Sequence, residues 1–166
     1  YLLDPHEHVF VDNTAMLPTL AKVASANLLI APRRFGKSTL VNLLREYHEK
    51  PHAEAVQLFH EGTEVGQHLR TGADKPHRKT IKMTFTFDAQ GSDGATVRGD
   101  MMCGINDALV REARRHGVLN ELDVCQSRAT VTLEHLISLL TSKELGPPAV
   151  LIDEYDYPSM ESLASG

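Results

Sequence analysis

Leu28-Leu29-Ile30-Ala31-Pro32-Arg33-Arg34-Phe35-Gly36-Lys37-Ser38-Thr39 is an apolar run passing into a glycine-lysine-serine turn, and its reading decides the fold. It matches the pattern G-x-x-x-x-G-K-[ST], with Ala31 where the first glycine usually stands. Such a loop turns backbone N–H groups inward around phosphates, carries a lysine to the β- and γ-phosphates and offers the next hydroxyl to Mg²⁺. The stretch therefore predicts a nucleoside-triphosphate site. N–H groups of Arg34, Phe35, Gly36, Lys37, Ser38 and Thr39 would donate to phosphate oxygens, Lys37 would neutralise charge during transfer, and Ser38 would hold Mg²⁺. The Thr39 hydroxyl is placed to reach the α-phosphate. Ala31 suits the loop provided that its position needs no positive φ. The bland reading of Lys37 and Ser38 is a helix start with an exposed lysine.

By average composition this relaxed pattern arises by accident in on the order of one chain in a hundred of this length, so a second motif must support it. Ala149-Val150-Leu151-Ile152-Asp153-Glu154 is an apolar, β-branched run ending in two acids. Its character suits a central parallel strand covered on both faces. Such a strand delivers its last side chains to the carboxyl edge of the sheet, where open α/β folds bind ligands. Asp153 is then expected to hold Mg²⁺ as a Walker B aspartate. Glu154 would polarise the attacking water. For Asp153 the bland reading is a turn or capping aspartate at a strand end.

Composition sets bounds on what else the chain does. Its 166 residues, 42 % of them hydrophobic, are enough for one core, and one domain or part of one is expected. No apolar run approaches the roughly 20 residues that span a bilayer, and the first residues lack a signal-peptide pattern. Two cysteines, Cys103 and Cys125, are too few for a disulfide scaffold, which favours a reducing, cytoplasmic setting. A formal charge of −5 argues against broad electrostatic attachment to nucleic acid. The basic clusters at 70–79 and at Arg111, Arg114 and Arg115 lack interleaved aromatics and read as solvated surface. Nine histidines, including His6-Glu7-His8, form no recognised metal motif and read as scattered surface residues.

Along the chain, Val9-Phe10-Val11 reads as a short strand, and Asp12-Asn13-Thr14 as a turn or the cap of a helix over about 15–23. Leu40, Leu43, Leu44 and Tyr47 recur at helical spacing and predict a helix from about Lys37 to Glu49, stopped before Pro51. Its positive dipole end would face the phosphates. His52 to Lys79, with four glycines and prolines, reads as a short amphipathic piece followed by loop. Thr80 to Phe87 alternates apolar and polar residues, the mark of a strand, and Asp88 follows it as an Asx-turn residue or an outer partner of the metal. Helical spacing of Met101, Ile105, Leu109 and Ala113 predicts a helix over about 95–115, ended by Gly117. Thr132 is the expected cap of a further helix, which Gly146-Pro147-Pro148 would end. Strands alternating with helices imply right-handed crossovers and a parallel sheet.

Three strings together carry a family resemblance. Phe10-Val11-Asp12-Asn13-Thr14, Ala31-Pro32-Arg33-Arg34-Phe35-Gly36-Lys37-Ser38 and Leu151-Ile152-Asp153-Glu154-Tyr155-Asp156-Tyr157-Pro158 resemble, in order, the signatures of the AAA-ATPase-like family. The resemblance spans nearly the whole chain and departs from the family pattern at Asn13, where a lysine is usual, and at Ala31. It implies an α/β fold: a three-layer P-loop NTPase of the additional-strand class, with a parallel sheet flanked by helices. It further implies ATP as ligand, Mg²⁺ as cofactor, hydrolysis to ADP and phosphate, and the possibility of a following restriction-endonuclease-like domain. Similar modules occur in Crinkler-type effectors, which makes host-directed secretion the alternative to a cytoplasmic life. In that class further strands and a sensor residue follow Walker B, so the chain is expected to be the N-terminal part of one domain, weakly active or inactive by itself. A missing C-terminal half or a protein partner would complete the sheet, and nucleic acid becomes a partner only with a nuclease domain. The competing functional reading is a nucleotide-gated interaction module with little hydrolysis.

Overall fold

The computed structural model describes residues 12–22, 27, 30, 34–72, 75–85 and 94–154. The expected strands at 9–11 and 28–30, and residues Arg33, Asp88, Tyr155 and Asp156, lie outside the described residues or outside any described element. The chain divides into two compact units, Tyr1–Pro76 and His77–Gly166.

The first unit is helical. Helix α1 (Met16–Lys22) packs against α2 (Lys37–Glu49), and α3 (His52–Leu58) packs against α4 (Glu64–Arg70). Leu17, Ala21, Leu40, Tyr47, Ala55, Phe59, Val65 and Leu69 form one buried cluster. Helix α2 occupies the span expected from its apolar spacing. The fully buried Tyr47 ring meets Phe59 edge-on, centroids 6.2 Å apart. The stretch expected to run into loop instead contains α4. Its signal is a cap: Thr63 Oγ1 accepts the N–H of Gly66 at 3.1 Å. Gly66, read as a loop glycine, is a packing requirement, since a Cβ there would lie 2.0 Å from the carbonyl oxygen of His60.

The second unit is mixed α/β. Strands β1 (Thr80–Thr84) and β2 (Ala149–Asp153) pair in parallel, from Thr80 opposite Ala149 to Thr84 opposite Asp153. Bonds from Ala149 N to Lys79 O and from Phe85 N to Asp153 O, each 3.0 Å, extend the ladder at both ends. The stretch between the strands, 85–148, holds α5 (Gly94–Arg115), a 3-10 turn (Leu119–Glu121), α6 (Ala129–Leu140) and a π turn (Thr141–Leu145). Ile81 and Met83 of β1 are buried with Leu109 and Ala113 of α5, Val118, and Leu136 and Leu140 of α6. Truncating one fully buried leucine such as Leu109 would cost about 2–5 kcal/mol.

Helix α5 ends as expected. Gly117 has φ 70, its N–H bonds Arg114 O, and Val118 N–H bonds Ala113 O at 2.9 Å, which together form a Schellman cap. Arg115 and His116 then fasten this end to β1, donating to Thr80 O over 3.2 and 2.7 Å. Two sequence expectations need correction. Helix α6 starts at Ala129, so Thr132 lies inside its first turn; Thr132 Oγ1 accepts the N–H of Cys125 at 3.0 Å and ties down the preceding loop. And β2 is not covered on both faces by described residues: Val150 and Ile152 are 38 % and 44 % exposed, while Leu151 and Asp153 are buried. Among the described residues β2 has one neighbouring strand.

Candidate functional site

The first group of site residues sits where chain enters α2. Arg34 has φ 65 and Gly36 has φ 74 and ψ 19, so two left-handed residues flank Phe35 just ahead of Lys37, the first residue of the helix. Backbone of this kind bends successive N–H groups toward a common centre. Gly36 is the N-cap and has no side chain to serve the N–H groups of the first turn, and that turn holds no acidic residue. Anchoring begins with Leu40, whose N–H bonds Gly36 O at 2.9 Å and whose side chain is buried. Arg34, Phe35, Ser38 and Thr39 are exposed and Lys37 is half-buried. With Arg34 and Lys37 at the positive end of a 13-residue helix, and no acid and no side-chain cap in its first turn, this end of α2 suits an anion.

The far end of α2 is held by Lys75. Its ammonium donates to Tyr47 O at 2.6 Å and lies 5.3 Å from the centre of the Tyr47 ring. A cation suits the negative end of the helix. Burial pushes the Lys75 amine below its ordinary range. By sequence Lys75 and Arg70 belong to a basic cluster that reads as solvated surface. Instead Arg70 donates to the carbonyls of Val56, Phe59 and Gly66, closing α3 and α4.

Asp12 and Thr14 belong to the same unit. Asp12 Oδ1 accepts both the N–H (2.9 Å) and the hydroxyl of Thr14 (2.6 Å), while Oδ2 accepts the N–H of Glu64 at 2.8 Å. Thr14 Oγ1 accepts Val65 N–H at 3.2 Å, and Thr14 O accepts Leu17 N–H at 3.0 Å. The segment thus starts α1 and caps α4 together. Burial acts to raise the Asp12 pKa, but the bonds from Thr14 and Glu64 outweigh it and hold the carboxyl below its ordinary value.

The second group lies at the carboxyl end of β2, in the other unit. Asp153 is 5 % exposed. Its Oδ1 accepts the N–H of Glu154 at 3.1 Å, and Glu154 has left-handed backbone, φ 54. Oδ2 of Asp153 makes no hydrogen bond among the described residues. A hard carboxylate oxygen left free at a strand's carboxyl end fits Mg²⁺, which takes one or two carboxylates and fills its remaining positions with phosphate oxygens and water.

Elsewhere, no group of three or more His, Cys, Asp or Glu side chains is placed to hold a metal among the described residues. No helix among them is long and apolar enough to cross a membrane.

The fold is thus a mixed α/β chain with a parallel strand pair, carrying a phosphate-loop sequence in one unit and an acidic strand end in the other. A model of the AAA-ATPase-like family, described as "Predicted AAA-ATPase", matches residues 3–166, and the chain belongs to that family. No curated protein and no solved structure matches the chain.

Proposed function

We propose that the chain binds ATP with Mg²⁺ through residues 34–39 and Asp153, and that the domain to which it belongs hydrolyses ATP to ADP and phosphate. The observation that carries most weight is the loop at Arg34–Lys37: left-handed Arg34 and Gly36, a glycine N-cap and no acid in the first turn of α2. N–H groups of Arg34 to Thr39 cradle the phosphates, Lys37 neutralises the β- and γ-phosphates, and the motifs assign Mg²⁺ to Ser38 and to Asp153. Glu154 takes the proton of the attacking water. Bound Mg²⁺ supplies charge neutralisation at the phosphates; the chain's own share is positioning and fixed dipoles. Membership of an ATPase-like family supports ATP as the nucleotide.

The parallel pairing of β1 with β2 is compatible with a P-loop NTPase of the additional-strand class. The test is melting temperature with and without Mg·ATP. Wild type should rise by several degrees at ligand concentrations well above Kd, and Lys37→Ala should abolish the rise. An unchanged rise in Lys37→Ala would refute the site.

A second function is favoured by one observation, the exposure of Val150 and Ile152 on a strand with one described neighbour. Here the chain is a nucleotide-gated interaction module and β2 takes a partner. Glu154→Gln separates the two, since it should stop an ATPase but leave or strengthen a binding switch.

A further inference from the structure

In an extended strand successive side chains alternate between faces. Along β2 that alternation is visible as exposed Val150 and Ile152 against buried Leu151 and Asp153. One more extended residue would send the side chain of Glu154 to the Val150–Ile152 face. The strand does not continue in that way. Phe85 N–H still bonds Asp153 O, so pairing runs to the end of Asp153, and the next residue turns left-handed, φ 54.

A left-handed conformation costs a residue with a Cβ roughly 1–2 kcal/mol, and glutamate lacks the short side chain with which Asn or Asp eases it. Among the described residues the only other non-glycine in this state is Arg34, in the phosphate loop. At Glu154 the turn has a specific result. It folds the backbone N–H of Glu154 back onto Oδ1 of Asp153 at 3.1 Å. One carboxylate oxygen is thereby occupied and the carboxylate's orientation set, while Oδ2 is left without a hydrogen bond among the described residues.

We infer that Glu154 is a positioning residue through its main chain as well as a side chain of the site: its left-handed turn aims Oδ2 of Asp153 at a divalent cation. The bland counterpart is a turn that merely ends the strand, with no bearing on the ion. The inference rests on Asp153 being the Mg²⁺ ligand, so the experiment separates the two.

Melting temperatures would be measured for wild type, Glu154→Gly, Glu154→Ala, Glu154→Pro and Asp153→Asn, in EDTA alone, with ADP and EDTA, and with ADP and MgCl₂. Glycine adopts the left-handed turn freely and keeps the N–H, whereas alanine keeps the strain. Glu154→Gly is therefore expected to melt above Glu154→Ala without ligand and to keep the Mg²⁺-dependent part of the ADP-induced rise. Proline can neither adopt φ 54 nor donate, so Glu154→Pro should lose that part while keeping the rise seen with ADP and EDTA. Glu154→Gly melting at or below Glu154→Ala would overturn the inference, even if Glu154→Pro fails to fold. So would a folded Glu154→Pro with the full Mg²⁺-dependent rise. If Asp153→Asn and wild type share the same Mg²⁺-dependent rise, or wild type has none, the ion assignment itself falls and takes the positioning role with it.

Discussion

Oδ2 of Asp12 accepts the backbone N–H of Glu64 at 2.8 Å across 52 residues of sequence. One short acidic side chain therefore organises the start of α1, through Thr14, and closes the open N-terminus of α4. Aspartate does this well because a carboxylate takes several donors at once and complements the positive end of a helix.

Removing that carboxylate should be felt as the loss of a cap, about 1 kcal/mol for Asp12→Asn and more for Asp12→Ala. The sign of the pH dependence follows from the lowered folded-state pKa of Asp12. The unfolded chain takes up the proton first, so the stabilisation is complete above the ordinary value of 3.8 and disappears as pH falls through the folded-state value. Urea midpoints of wild type and Asp12→Asn should converge from pH 5 toward pH 2.5. A gap of constant size would contradict this.

Lys75 carries the opposite charge and a lowered pKa caused by burial. Here the unfolded chain holds its proton to higher pH than the folded one, so wild type should gain stability as pH rises toward 10.5. Relative to Lys75→Met, which cannot titrate, the wild-type unfolding free energy should climb between pH 8 and 10.5. A flat difference would show that the amine is not desolvated. At neutral pH, Lys75→Ala removes the donor to Tyr47 O and should cost about 1–3 kcal/mol.

Arg34 holds left-handed backbone without need of its side chain for packing, since it is exposed. Arg34→Gly should therefore raise the stability of the nucleotide-free chain by about 1 kcal/mol. At the proposed phosphate loop the same change removes a cation and is expected to weaken Mg·ATP binding about tenfold, the equivalent of one charged hydrogen bond. Melting without ligand and a binding titration check the two halves. A destabilised Arg34→Gly would mean that the loop does not hold this conformation.

At Gly66 the conflict is steric. A Cβ 2.0 Å from the His60 carbonyl oxygen meets backbone, which cannot swing aside. Gly66→Ala should cost about 2–3 kcal/mol in chemical denaturation, while the same change at the solvent-open Gly99 should cost nothing or stabilise its helix.

Local chemistry explains which parts of this fold could be read in advance. Leu40, Leu43, Leu44 and Tyr47 define α2 because helical spacing is a property of neighbours in the chain, and Gly117 ends α5 because the Schellman cap is built from residues 113–118 alone. The proposed roles of residues 34–39 and 153–154 rest likewise on strings of neighbouring residues. Helix α4 was not, because glycines at 62, 66 and 72 outweighed a lone capping threonine, and the reason for Gly66 lies in the carbonyl of His60 folding over it. Thr132 reads from sequence as a helix cap, but the path of the 122–128 loop brings Cys125 N–H to its hydroxyl.

The order of amino acids by itself determined the family, the helix that follows the glycine-lysine-serine turn and the strand that ends at Asp153. Tertiary structure alone decided that Asp12 caps a helix 52 residues away, that Lys75 is buried on the carbonyl of Tyr47, and that Glu154 turns left-handed onto Asp153. The physical reason is range. Periodicity and loop motifs are written within one or two turns of chain, whereas a donor's partner is chosen by whatever distant carbonyl or carboxylate packing brings within 3 Å or so.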